Sequence, residues 1–337
     1  MRFFKWSSLT LFAVLALALS SCTEDAIAPE VAENTAVDER FFGFGNEPEP
    51  TIVDLAIATP ELSILVEAVI KADLVDVLSN RRREFTVFAP TNEAFLGLLE
   101  AAGFETLHDV PVDLLTTILL THVVRGELFA EDLSTGYVKT NARAFFRPTD
   151  IFINTEDGVT INGNVNVAIP NVDAANGVVH VVDRVIMPSD IVTLAASNPN
   201  FSILVQALTR ADLEIDFLAA LDADGPFTVV APTNQAFINL LDAVEEWNSL
   251  DDIPVETLQN VLLYHVNATR NYQSREFAGR PTVTTLLDGA TWSTDFGVEG
   301  GRLTYDIIAG SNTANIIATD VQAQNGIIHG IDTVLLP

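Results

Sequence analysis

The chain carries one cysteine in 337 residues. An intramolecular disulfide is therefore excluded, and stability has to come from packed cores. Basic side chains are scarce as well: 17 Lys and Arg stand against 46 Asp and Glu, a formal net charge of −29. Nucleic-acid binding needs clustered cations, and the one dense run in the sequence, Arg81-Arg82-Arg83, is three residues in an acidic chain. It reads as a solvated loop, and nucleic acid is not an expected partner. Long apolar runs are missing too. The one candidate, Leu9 to Leu19, follows Arg2 and Lys5, is too short for a comfortable span, and sits where the apolar stretch of a secretory leader belongs. Catalytic signatures are also lacking: no His-Glu-x-x-His, Gly-x-Ser-x-Gly or phosphate loop occurs. Asp222, Asp224 and Gly225 lack the later acidic positions of a calcium loop and read as a turn. No catalytic residue, cofactor or metal set is assigned, and the chain reads as a non-enzyme.

What is present begins with the position of the lone thiol. Leu19-Ser20-Ser21-Cys22 resembles a bacterial lipobox, so residues 1–21 are expected to be a lipoprotein signal peptide and Cys22 a lipidation site. Several buried acyl chains make a stable anchor. The acidic, proline-containing stretch over residues 22–50 reads as a flexible tether. Within it Phe41, Phe42 and Phe44 are expected to dock onto the first domain, because an exposed aromatic cluster is costly.

Beyond the tether the chain matches itself at a separation of about 140 residues. Ser63-Ile64-Leu65-Val66 returns as Ser202-Ile203-Leu204-Val205, and Phe85-Thr86-Val87-Phe88-Ala89-Pro90-Thr91-Asn92 as Phe227-Thr228-Val229-Val230-Ala231-Pro232-Thr233-Asn234. His122 and Val123 recur as His265 and Val266, and Asn176-Gly177-Val178-Val179-His180 as Asn325-Gly326-Ile327-Ile328-His329. Two domains of one fold follow, over residues 51–188 and 189–337. In each, a helical opening leads to a short apolar strand stopped by Pro90 or Pro232. A helix capped by Thr91 or Asn92 comes next, with Thr233 or Asn234 in the second copy. Val112 to Val123 reads as a further helix, and alternating strands follow with turns at Asp157-Gly158, Asn162-Gly163 and Asp288-Gly289. Helices ahead of strands, without regular β-α-β alternation, predict an α+β domain.

Thr86 to Phe95 and Thr228 to Phe237, together with Asn176 to Pro188 and Asn325 to Pro337, resemble the two signature boxes of the fasciclin domain. The resemblance covers about Thr51 to Pro337 and implies a β-wedge or sandwich flanked by helices, as used in extracellular adhesion and matrix proteins. Tyr264-His265 resembles a Tyr-His element that the family associates with integrin adhesion. It occurs once, since the first repeat has Thr121-His122, and a packing role for Tyr264 is the competing reading. The repeated histidines, His122, His180, His265 and His329, are candidate bases or ligands by type, but their apolar surroundings favour hydrogen-bonded core positions that clamp helix to terminal strand. The expected function is a lipid-anchored protein of the outer membrane, surface-exposed or periplasmic. Its two modules would contact a matrix polymer, a carbohydrate or a surface protein, and the membrane through the anchor alone. The alternatives are a carbohydrate-active enzyme working through paired carboxylates and an envelope scaffold.

Overall fold

The computed structural model describes residues 49–279, 281–299 and 302–337; the leader, Cys22 and the Phe41, Phe42 and Phe44 cluster lie outside the described residues. Both repeats fall within a single compact unit over residues 47–337.

The first repeat contributes β1 (Phe85–Pro90), β2 (Val123–Arg125), β3 (Gly136–Ala144), β4 (Arg147–Asn154), β5 (Thr160–Ile161), β6 (Val165–Ala174) and β7 (Gly177–Val182). They hydrogen-bond in that order and close into a barrel through a parallel β1–β7 pair. The second contributes β8 (Phe227–Pro232), β9 (Val266–Asn267), β10 (Thr282–Thr284), β11 (Thr291–Glu299), β12 (Arg302–Ile308), β13 (Thr313–Gln322) and β14 (Gly326–Ile331). Its sheet runs β10-β11-β12-β13-β14-β8-β9, with β14 parallel to β8. The mixture of helices with two barrel- or wedge-like sheets is the α+β class expected.

The strand of the first signature box is buried at every position because β1 is covered on both faces. Phe85, Val87 and Ala89 pack into a core shared with helices Ile52–Ala58, Ser63–Lys71, Asn92–Ala102 and Val112–Thr121, while Phe88 points into the barrel with Ile151, Ile153 and Val182. In β8, Phe227, Val229 and Ala231 face the helices and Val230 the sheet. Thr91 and Thr233 supply the caps after these strands, accepting from the backbone N–H groups of Ala94 and Ala236. The helix expected to reach Val123 stops at Thr121. His122 becomes its cap, with its ring committed elsewhere, and Val123 enters β2 instead.

The repeats meet through polar contacts built around β3 and β4. Tyr137 packs against the helical core of the second repeat, donates its hydroxyl proton to the Leu194 carbonyl at 2.9 Å, and accepts from Asn198 Nδ2 at 3.2 Å. Asp150, 3 % exposed, accepts from the Gln322 backbone N–H at 2.7 Å and pairs with Lys139 Nζ at 3.1 Å. Burial pushes its carboxyl up, against the opposing pull of Lys139.

Candidate functional site

The parallel strand pairs place the two boxes side by side: Phe85 lies opposite Gly177 and Pro90 opposite Val182, and Phe227 opposite Gly326 and Pro232 opposite Ile331. The repeated polar residues hold this seam. Asn176 accepts from the Ile52 N–H at 2.9 Å and donates to the Leu78 carbonyl at 2.7 Å; Asn325 does the same for Ile191 and Leu221, at 3.0 and 2.6 Å. Asn92 braces the opening helices by accepting from the Ile64 N–H and donating to Pro60 O, and Asn234 repeats this with Ile203 and Pro199. Glycine is required beside each asparagine because the neighbouring strand leaves no room. A Cβ on Gly177 would lie 1.8 Å from Phe85 O, and one on Gly326 2.5 Å from Phe227 O.

The four repeated histidines are buried with both ring nitrogens engaged by backbone. His122 Nδ1 lies 2.8 Å from Ile118 O while Nε2 accepts from the Ile186 N–H at 2.8 Å. His265 is placed alike, 2.6 Å from Val261 O and accepting from Leu335 N–H at 2.9 Å. A nitrogen that accepts a backbone N–H carries no proton, so both rings are neutral with the proton on Nδ1. Burial holds both pKa values down at about 4, opposed only by the carbonyl acceptors. His180 and His329 use the other tautomer: Nδ1 accepts from Asn171 or Asp320 N–H, and Nε2 donates to Leu128 O or Tyr272 O at 2.9 Å. With both nitrogens of each ring used, these imidazoles serve as braces and have no lone pair directed at a metal or substrate.

His180 acts together with Thr86, whose hydroxyl accepts from the Leu128 N–H and donates to Gly126 O. Thr228 likewise accepts from Tyr272 N–H and donates to Arg270 O. In both repeats one threonine and one histidine thus pin the loop that follows the second strand at a single residue, Leu128 or Tyr272. In the second repeat that loop presents Arg270, stacked 4.9 Å over the Tyr272 ring and ion-paired with Glu276.

Tyr264 and His265 are 1 % and 3 % exposed. The Tyr264 hydroxyl donates to Thr291 O at 2.7 Å and accepts from the Gly310 N–H at 3.1 Å. Neither residue offers a surface to a partner, so the expected contact at this pair is corrected to an internal one. Both side chains are consumed in joining the helix Val255–Tyr264 to the sheet and to the chain end.

The exposed feature that the repeat pattern does not signal is the turn between β3 and β4. Ala144 pairs with Arg147, leaving Phe145 and Phe146 as a two-residue turn with φ of 49° and 63°. Such turns favour Asn-Gly, since left-handed backbone is unfavourable for a residue with a bulky side chain. Phe146 is nevertheless 93 % exposed. The segment Arg143-Ala144-Phe145-Phe146-Arg147 gives no hint of this in sequence, because only the strand register reveals that the aromatic pair forms the tip.

Comparison with known proteins places these observations. The family model described as Fasciclin domain matches residues 60–188 and again 199–337. Human periostin is 31 % identical over 256 residues, which cover 75 % of this chain and 28 % of periostin. This chain therefore spans little more than a quarter of that relative. Protein sll1483 of Synechocystis is 35 % identical over 176 residues, 52 % of this chain and 93 % of that protein. Among solved structures, a FAS1 domain pair from the insect cell adhesion molecule Fasciclin I superposes with a TM-score of 0.50 at 22 % identity, covering 82 % of this chain and 97 % of that one. That likeness speaks for the fold.

Proposed function

We propose, on the premise that this chain belongs to the fasciclin domain family, that it is an adhesion or binding protein of the cell envelope. A leader over residues 1–21 directs export, Cys22 carries the lipid anchor in the outer membrane, residues 22–50 form the tether, and domains over 51–188 and 189–337 make the contacts. The observation that carries this reading is the presence of two fasciclin domains in one compact unit, joined at Tyr137 and Asp150. Two modules in fixed relation present one extended surface, and a repetitive matrix polymer, carbohydrate or surface protein would engage it with avidity set by that spacing.

The test is attachment of bacterial cells displaying the full chain to surfaces coated with envelope and matrix material, alongside cells lacking it and cells expressing Cys22→Ala. Attachment should require the protein, and the Cys22→Ala chain should leave the membrane fraction. Equal attachment with and without the displayed protein would remove the adhesion reading; a membrane-retained Cys22→Ala chain would remove the anchor.

A further inference from the structure

We infer that the β3–β4 hairpin, with the adjoining loop of the second domain, is a binding lane for an anionic polysaccharide whose carboxylates meet its arginines and whose sugar faces meet Phe145 and Phe146. This rests on the adhesion reading and names the partner class for it. Two grooves of about 400 and 480 Å³ flank the hairpin; Arg143 shares one face with Pro148 and Arg147 the opposite face with Ala144, so the lane wraps around the tip. Arg125, Lys139 and Arg143 line the first, and Arg147, Arg270 and Arg275 the second, which also holds the two phenylalanines. Of 17 basic residues in the chain, six line these two grooves, from three separate stretches of sequence. The carboxylates near them include Asp150, paired with Lys139, Glu276, paired with Arg270, Glu84, which shares a cleft with Arg125, and Asp320 beside Asp150. Among the described residues no ion pair joins Arg125, Arg143, Arg147 or Arg275 to an acidic side chain.

The strand geometry orders these charges. Lys139, Asn141 and Arg143 alternate with the buried Thr140 and Ala142, so they line one outward face of β3. Arg125 reaches across from β2 to Asn141 Oδ1 at 3.1 Å. Side chains two apart on a strand stand about 6.7 Å apart, roughly twice the axial spacing of charges along one DNA strand, about 3.4 Å. A lane so spaced suits a polymer of lower charge density. Five of the six cations are arginines, whose planar fork pairs bidentately with carboxylates, and the amide of Asn141 adds a donor and acceptor for hydroxyls. The overall charge of −29 repels any polyanion at long range. At physiological salt that repulsion is screened beyond about 8 Å, so contacts within the lane decide.

The second observation is the turn itself. Two bulky residues in left-handed backbone cost on the order of 1 to 3 kcal/mol each, and the exposed Phe146 ring gains nothing from the fold in return. Such an outlier at the mouth of a groove lined by Arg147, Arg270 and Arg275 marks a ligand contact. An aromatic face there would pack against the C–H face of a sugar ring.

Polygalacturonate titrated into the full chain tests this, with neutral dextran and single-stranded oligothymidylate as comparison polymers. Wild type should bind polygalacturonate and not dextran. Arg143→Glu with Arg147→Glu should weaken binding tenfold or more with the melting temperature unchanged within a few degrees. Phe145→Asn with Phe146→Gly should weaken binding about fivefold while raising thermal stability, because those residues suit the turn. Unchanged binding in the charge-reversal variant would overturn the lane, and oligothymidylate bound as tightly as polygalacturonate would overturn the polysaccharide. If polygalacturonate is not bound although displayed cells still attach, this inference fails and the adhesion reading stands; loss of both would remove the two together.

Discussion

The two domains carry the same internal bracing and different outer edges. Thr86 and Thr228, His122 and His265, His180 and His329, and Asn176 and Asn325 make matching hydrogen bonds to matching backbone groups. Bracing survives even a change of residue. Lys71 in the first domain and Arg210 in the second both donate to backbone carbonyls of a short helical turn ahead of the helix Val112–Thr121 or Val255–Tyr264, at Leu107 and Val110 or at Leu250 and Ile253. The edges diverge. The first domain closes its barrel through β2 and β3, whereas among the described residues β9 and β10 of the second do not pair. Ala144 and Arg147 flank Phe145-Phe146, while Glu299 and Arg302, paired across the matching hairpin, are separated in sequence by Gly300-Gly301. The comparison teaches that duplication preserved whatever satisfies buried polar groups and left the surface free to specialise.

The sharpest way to break that symmetry is at the glycines of the seam. Gly177→Ala places a Cβ 1.8 Å from a backbone oxygen, at a φ of 138°, and should cost about 4 kcal/mol or more, since neither strand can move without breaking the parallel pair. In Gly326→Ala the clash is at 2.5 Å, so the loss should be smaller by about 1 to 2 kcal/mol. Urea unfolding of the two variants checks the order. Equal losses would mean that the seam is as tight in both domains.

Acid should reveal the next largest effect, and it should be shared. The folded-state pKa values of His122 and His265 lie near 4, below the roughly 6.5 of an unfolded chain. Between those values the unfolded chain binds more protons than the folded one, so stability is fully present above about pH 6.5 and is lost as pH falls toward 4. At about 1.4 kcal/mol per unit of pKa difference, each histidine contributes on the order of 3 kcal/mol to that loss. Unfolding free energies measured across this window should fall steadily. His122→Gln and His265→Gln, which keep a polar group at the site, should each flatten the slope by the same amount. A variant that leaves the slope unchanged would show that its histidine is hydrated in the native state.

The skeleton was legible in the sequence because it is repeated. Two copies of Thr-Val-x-Ala-Pro-Thr-Asn and Asn-Gly-x-x-His are enough to identify the domain type, the capping threonines and the burial of the histidines. Helix ends were less legible: nothing in the Val112 to Val123 pattern distinguishes a continuing apolar face from the point where His122 turns the chain into β2. The surface lane was not legible at all. Arg125, Arg143 and Arg270 are far apart in sequence, and only the folded chain brings them to the two grooves beside the hairpin. The single dense run, Arg81-Arg82-Arg83, lines neither groove. Tyr264 misled for a related reason: a motif read by identity says nothing of which way its ring points.

That residue supplies the smallest and most specific contrast between the domains. Tyr264 and Thr121 close corresponding helices, but their hydroxyls make different contacts. The Tyr264 hydroxyl bridges two separate segments, accepting from Gly310 and donating to Thr291, whereas Thr121 Oγ1 donates back to Thr117 O, one turn earlier in its own helix. Removing the first takes away both hydrogen bonds that tie Thr291 to Gly310, while removing the second leaves a helical carbonyl that already has an N–H donor. Tyr264→Phe should therefore cost about 1 to 2 kcal/mol and Thr121→Val less than about 1 kcal/mol, read from thermal unfolding. Cell attachment by the Tyr264→Phe protein should equal that of wild type, because a ring 1 % exposed contributes to a partner only through the fold it supports. Loss of attachment at full stability would place this tyrosine in the contact after all.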